Sequence, residues 1–269
     1  MSDHLLHAID RLRTLPGVLQ WRKHRFDRRF ESGHEAGNCR GVFSSFWSAA
    51  ATAPATRPLG YDNPHAAAMY RERLDRVYPS DYPMMLWLQR AFDDGVRRVL
   101  DLGGHVGVAY YAYQRFLQFP EDVHWTVCDV PAVVHAGRAL ARERAPSGRL
   151  HFTKSFAEAA SADLLFTSGC LQFLPETLGE RLAALPRRPR WLLVNLLPLH
   201  DERAYWTLQS IGTAYCPYRI QHAATFFGEL EALGYRVIDR WDNLEKRCWI
   251  AFEPEHSLDR YRGALLKLD

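Results

Sequence analysis

Val99-Leu100-Asp101-Leu102-Gly103-Gly104-His105-Val106-Gly107 joins a short apolar run beginning at Arg97 to a stretch with helical spacing from Val108 to about Leu117. A strand that passes through closely spaced glycines into a helix is the first crossover of an open α/β sheet, and such sheets bind ligands at the carboxyl ends of their strands. Small residues are needed there because the backbone must approach the ligand closely. The glycine spacing is not the Gly-x-Gly-x-x-Gly of a phosphate-binding turn. Instead an acid, Asp101, stands two residues before the first glycine. A carboxylate at that point opposes a pyrophosphate and favours a cation. A tight turn in any other α/β protein would use the same small residues, so the acid carries the discrimination.

Downstream of this turn, short apolar runs alternate with helical segments, which predicts strands at 97–102, 124–129, 149–153, 163–167, 190–195, 235–241 and 247–253, with a helix at 223–233. The last two strands are separated only by Asp242-Asn243-Leu244-Glu245-Lys246, too short for a crossover helix, so they are expected to be antiparallel. The fold class is therefore α/β: a Rossmann-like, seven-stranded, mostly parallel sheet with an antiparallel last strand. Residues 1–95 read as an N-terminal helical cap and 96–269 as the ligand-binding domain, with an aromatic-rich insertion at 196–222 on the acceptor side. In the cap, Leu5, Leu6, Ile9, Leu12 and Leu15 form one apolar stripe, and further helical stretches are expected from Phe43, over about 66–77 and over 82–92.

The 269 residues, 47% hydrophobic and 24% charged, suit a soluble globular chain, and no stretch approaches the roughly 20 apolar residues of a membrane span. The first residues lack a secretory layout, and the five cysteines are odd in number, scattered and never in a Cys-x-x-Cys pair. Reduced thiols in a cytoplasmic protein are the expectation, with no structural zinc. A net charge of +3 gives little reason for a nucleic-acid partner. The one dense basic run, Arg22-Lys23-His24-Arg25 with Arg28 and Arg29, reads as a solvated helix face with aromatics turned inward, or as a contact for a phosphate-bearing substrate or surface.

Asp101 with Gly103, Gly104 and Gly107 suits the amino group of a methionine moiety, a cation carried by S-adenosylmethionine. Asp129 ends the second strand, where an acid accepts ribose hydroxyls; alternatively it caps the helix near Val133. The fourth strand opens through Thr167, Ser168 and Gly169 into a turn that would border the sulfonium, with Leu171 or Gln172 flanking the exit of the methyl. Ser155 and Phe156, after the third strand, are expected beside the adenine.

With these residues in place the chain resembles the class I S-adenosylmethionine-dependent methyltransferases. More narrowly, it resembles a family of bacterial methyltransferases known mainly from sequence, whose substrate is not established. The narrower likeness rests on Val99 to Gly104 with Gly107, Thr167-Ser168-Gly169-Cys170-Leu171-Gln172, Gln209-Ser210-Ile211-Gly212, Cys216-Pro217-Tyr218-Arg219 and Leu233-Gly234-Tyr235, and extends from about Gly41. It implies methyl transfer, with S-adenosylhomocysteine as product, to a small-molecule or glycan-type acceptor.

Transfer from a sulfonium needs alignment and exclusion of water, and a hydroxyl acceptor would also gain from a base. His200 and His222, which bracket the insertion, are the catalytic candidates, with His105 beside the turn; each could equally be a structural histidine. Tyr61, His105, Gln172, Tyr215 and Arg219 are the candidate acceptor contacts, although Tyr215 and its aromatic neighbours could simply pack the insertion. Asn-Pro-Pro-Tyr is missing after the fourth strand, which disfavours nucleic acid, and no paired acids with histidine suggest a metal site. Two other functions compete: a non-catalytic methyltransferase-like module whose cap and insertion bind a protein partner, and a nicotinamide oxidoreductase, which the missing glycine pattern and Asp101 disfavour; for the chain itself a homodimer is a further expectation.

Overall fold

The structure, a computed structural model, describes residues 15–32, 36–145 and 147–268. In chain order it runs α1 (Pro16–Ser32), β1 (Ala36–Phe43), α2 (Phe46–Ala50), α3 (Pro64–Ala67), α4 (Tyr82–Asp93), β2 (Arg98–Leu102), α5 (Val108–Tyr113), β3 (His124–Cys128), α6 (Pro131–Arg144) and β4 (Leu150–Thr153). It continues through β5 (Leu164–Ser168), α7 (Leu178–Ala183), β6 (Trp191–Leu197), β7 (Leu199–His200), β8 (Tyr205–Ile211), β9 (Tyr215–His222), α8 (Ala223–Ala232), β10 (Tyr235–Asn243) and β11 (Tyr261–Leu268).

The larger sheet has the order β10-β11-β6-β5-β2-β3-β4. Strands β2 to β6 pair in parallel, and β11 lies antiparallel to both β6 and β10. The interior strand β6, Trp191-Leu192-Leu193-Val194-Asn195-Leu196-Leu197, is buried along its whole length, as a strand covered by helices on both faces must be. The chain winds outward from β2 to β4, then returns to β5 and winds the other way. The carboxyl ends of β2 and β5 therefore form the switch point at which such sheets open a ligand cleft. This is the expected Rossmann-like, seven-stranded, mostly parallel sheet with an antiparallel last strand.

One predicted strand falls elsewhere. Residues 247–253 do not close the sheet; β11 does, eight residues further on, and 244–260 form a connection on the second sheet. Cys248 and Ile250 are buried while Trp249 is exposed, a strand-like alternation, but Ile250 bridges Cys39 of β1 and Cys248 bridges Leu258. The antiparallel pairing of the last two strands is as expected.

The stretch before residue 95 is likewise not helical throughout. Strand β1 pairs with β8, and the insertion expected at 196–222 is a hairpin, so β1-β8-β9-β7 form a second, four-stranded sheet. The helix expected over 66–77 shrinks to α3 and a single turn at Arg71–Arg73. Of the apolar stripe only Leu15 lies within the described residues.

Asn195 locks the edge of the larger sheet. Its Oδ1 accepts from Trp241 Nε1 and from Asn243 Nδ2, both at 2.9 Å, and its Nδ2 donates to the Ser80 carbonyl at 2.8 Å. The reach from β10 to β6 crosses β11 at Gly263, where a Cβ would stand 2.2 Å from the Trp241 indole. Replacing Asn195 by Ala leaves three buried polar groups unpaired, at roughly 1–3 kcal/mol each. A loss of about 3 kcal/mol or more is expected in urea unfolding; a loss below about 1 kcal/mol would refute the hub.

Candidate functional site

Two turns meet at the switch point. After β2, Gly103 adopts φ +73° and donates its N–H to the Cys128 carbonyl at 2.8 Å; a Cβ there would lie 2.4 Å from Cys170 Sγ, in the turn after β5. Gly104 needs its missing side chain for another reason, because a Cβ would lie 2.2 Å from Asp101 Oδ2. The turn is thus folded back over its own acid, and Gly107, at φ +93°, leads into α5.

Asp101 is 1% exposed. Its Oδ2 accepts from Trp125 Nε1 at 3.1 Å, while Oδ1 has no partner among the described residues. Burial raises its pKa to about 7, and the nearby Asp129 adds to the rise. His105 sits at φ +55°, unusual for a residue with a side chain, and donates its backbone N–H to Asp129 Oδ2 at 2.9 Å. Its Nε2 lies 3.0 Å from the Ala66 carbonyl. The ring proton therefore belongs on Nε2, leaving the Nδ1 lone pair buried and without a partner among the described residues. Burial also lowers the pKa of this imidazole, keeping it neutral near pH 7. In the turn after β5, Gln172 is buried and its Oε1 has no partner among the described residues. Its Nε2 approaches Gly169, itself at φ +73° and bonded to the Asn195 carbonyl at 3.0 Å.

Asp129 faces the same turn, with Oδ1 accepting from the Val130 N–H at 2.7 Å and Oδ2 from His105. It does not cap the first turn of α6. That place belongs to Asp62, whose Oδ1 accepts from the Ala132 N–H at 2.9 Å. Ser155 and Phe156 follow β4, beside β3 and its terminal acid. Phe156 packs on the apolar core with the Arg181 guanidinium 5.4 Å over its ring. From the cap, Tyr61 sets its ring edge against Phe173 at 5.0 Å with its hydroxyl 3.5 Å from Tyr70, and the Tyr70 ring meets His105 at 5.2 Å. Burial holds the Tyr61 phenol well above its ordinary pKa.

Other candidates take structural places. Thr167 donates its hydroxyl to the Leu102 carbonyl at 2.9 Å and ties β5 to β2, and Leu171 is packed among Leu178, Leu182 and Leu197. Ser168 ends β5 at the cleft. Tyr215 is fully buried and donates to the Phe30 carbonyl at 2.7 Å, so it anchors α1. Arg219 stacks on Trp206 at 4.5 Å and donates to the Pro175 carbonyl. With Gln221, His222 and Glu229 it lines a cavity of about 220 Å³ that includes neither glycine turn.

Neither of the candidate catalytic histidines, His200 and His222, keeps a ring nitrogen free of a partner. His200 Nε2 faces the Glu255 carbonyl at 3.2 Å and its Nδ1 accepts from the Glu202 N–H at 3.0 Å. His222 Nε2 faces the Asp201 carbonyl at 3.1 Å and its Nδ1 lies 2.9 Å from the Thr225 hydroxyl. A carbonyl requires a proton on Nε2, and the remaining nitrogen is already accepting. Both rings brace loops. The sequence reading missed Trp125 as the partner of Asp101. Trp125 lies opposite Val99, diagonal to Asp101 on one face of the sheet, and a buried indole needs an acceptor.

No protein-family model matches the chain, and no curated protein sequence matches it. Among solved structures, the chain is similar to 1,6-didemethyltoxoflavin-N1-methyltransferase of Burkholderia thailandensis, with 18% identity, 71% of this chain and 79% of that one covered, and a TM-score of 0.44. It is also similar to the mitomycin 7-O-methyltransferase MmcR (17% identity, 96% and 70% covered, TM-score 0.46) and to the [4+2]-cyclase SpnF (16% identity, 68% and 80% covered, TM-score 0.45).

The raised pKa of Asp101 fixes a pH dependence. The folded chain holds a proton on this group up to about pH 7, whereas the unfolded chain releases it near pH 4. The cost of ionising it in the fold therefore grows from about pH 4 to about pH 7 and is constant above, with an upper size of about 4 kcal/mol. Asp101→Asn removes this contribution, so the stability of the variant relative to the parent should rise between pH 4.5 and pH 8. Urea midpoints at both values check it, and an unchanged difference would contradict the assignment.

Proposed function

We propose that the chain is an S-adenosylmethionine-dependent methyltransferase acting on a small-molecule or glycan-type acceptor, with oxygen as the accepting atom. One observation carries this reading. Asp101 Oδ1, His105 Nδ1 and Gln172 Oε1 are buried, unpartnered acceptors carried by two turns that touch at the switch point. A cleft of acceptors asks for donors. It repels a pyrophosphate and suits a ligand that brings an ammonium group and hydroxyls.

In this reading Asp101 attracts the ammonium, Asp129 and the His105 lone pair receive ribose hydroxyls, and the close approach of Gly103 and Gly104 admits the ligand backbone. Ser155 and Phe156 stand toward the adenine, and Ser168, Gly169 and Gln172 toward the reacting end. S-adenosylmethionine supplies, when bound, a methyl group already activated on a sulfonium. The protein must then align the acceptor and keep water out. Tyr61, Tyr70 and Phe173 form an aromatic edge suited to that work, with Gln172 as its polar contact. Because His200 and His222 are occupied, alignment and desolvation carry more of the rate than general base catalysis.

Calorimetric titration with S-adenosylhomocysteine tests the proposal. Saturable binding is expected, weakened at least tenfold by Asp129→Ala and by Asp101→Ala, with no response to NAD. Affinity should also fall about tenfold per pH unit below pH 7, because a proton must leave Asp101 before an ammonium is received. No response to either S-adenosyl compound would sink the reading. Binding without transfer to a panel of hydroxylated acceptors would favour a binding module instead.

A further inference from the structure

Helix α1, Pro-Gly-Val-Leu-Gln-Trp-Arg-Lys-His-Arg-Phe-Asp-Arg-Arg-Phe-Glu-Ser, is attached to the body on one side only. Phe30 is 2% exposed and packs on Leu208 and Tyr215, with Phe26 beside it and against Phe252 at 5.8 Å. The rest of the helix faces outward, and its charges are segregated. At 3.6 residues per turn, Trp21, Arg25, Arg28 and Arg29 fall with Val18 within an arc of about 100°. Asp27 and Glu31 lie on a different side, where both approach Arg40 of β1, at 3.9 and 3.5 Å. The acids are thus turned to the protein's own cation. Among the described residues no carboxylate forms an ion pair with Arg25 or Arg28.

The basic arc is also apolar. Trp21 is 56% exposed and Val18 38%, and Leu15 at the start of the helix is 49% exposed. The Arg25 guanidinium lies 5.5 Å over the Trp21 indole, an arrangement that keeps cation and ring on one surface. Exposed tryptophan interleaved with arginine along a helix that cannot cross a bilayer is the composition of a helix lying in a membrane interface. Phosphate alone accounts for the arginines and leaves the apolar side chains without a role. An anionic lipid surface accounts for both, since acyl chains receive Trp21 and Val18 while headgroups attract the cations.

We propose that this face of α1 docks the protein on an anionic lipid surface, with the helix parallel to the membrane and Trp21 at headgroup level. The site at the switch point is then held close to a membrane by a helix lying on its surface. The proposal does not depend on the methyl-transfer reading, because it uses none of the residues at the switch point.

The test is co-sedimentation of the full chain with vesicles of phosphatidylglycerol and phosphatidylcholine in equal parts, against phosphatidylcholine alone, at low salt and at about 0.5 M salt, where screening is short-ranged. Binding to the anionic vesicles only, lost at high salt, is expected. Arg25→Glu with Arg28→Glu should weaken it at least tenfold, and Trp21→Ala severalfold, with urea midpoints unchanged because these side chains are exposed. No sedimentation with the anionic vesicles overturns the proposal. So does binding that Trp21→Ala leaves unchanged and that duplex DNA at equal phosphate concentration matches, which would assign the face to nucleic acid.

Discussion

The contact between the turns after β2 and β5 is the constraint on which the site depends. Gly103 lies where any side chain would collide with Cys170, and Gly104 where any side chain would collide with Asp101. Closing the turns this tightly puts a carboxylate out of reach of water with one oxygen satisfied by Trp125 and the other by nothing in the described chain. A buried acid without a counter-charge is destabilising, so its position is better explained by a ligand than by the fold. The surrounding polar groups deepen the same demand, because His105 and Gln172 add acceptors without a partner among the described residues.

The cap and the second sheet make this arrangement rigid. Asp62 holds the start of α6, while the Ala66 carbonyl accepts from the His105 ring and Tyr70 lies against it, so two cap residues hold the turn after β2 from outside and a third holds the neighbouring helix. The cap is held in turn by the second sheet, through the bridge of Leu59 to Tyr215 and the hydrogen bond from Gly60 to the Tyr215 carbonyl. The positive φ of His105 is a strain that these partners over-determine. A residue with a side chain at this point makes the turn after β2 and the cap a single unit.

Most of the larger sheet was legible in the sequence because buried parallel strands are written as unbroken apolar runs, as in Trp191 to Leu197. The second sheet was not. Strand β1, Ala-Gly-Asn-Cys-Arg-Gly-Val-Phe, carries two glycines with positive φ and few apolar residues, so its pairing with β8 is a tertiary fact without a local signal. The misplaced seventh strand follows from that omission. Cys248 and Ile250 have the alternation of a strand, and with β1 unread nothing in the sequence offered them a partner other than the main sheet.

Legibility within the site divides along a similar line. Asp101, Asp129 and the glycines could be read because their role is set by position at strand ends, which the sheet fixes. The histidines could not, because a catalytic imidazole is defined by a free lone pair, and that depends on which carbonyls and amides the loops bring to each nitrogen. His200 and His222 were chosen for standing near the carboxyl edge, and they do stand in β7 and at the end of β9. What removed them as bases is a backbone carbonyl at each Nε2 and a donor at each Nδ1. His105, weighed only as a neighbour of the turn, is the one of the three whose ring nitrogen stays open. With its basicity depressed by burial, it is better suited to accept a hydrogen bond than to remove a proton. In the proposed reaction such a site would act by placing and drying the reactants, with the aromatic side chains of Tyr61 and Tyr70 on its cap side.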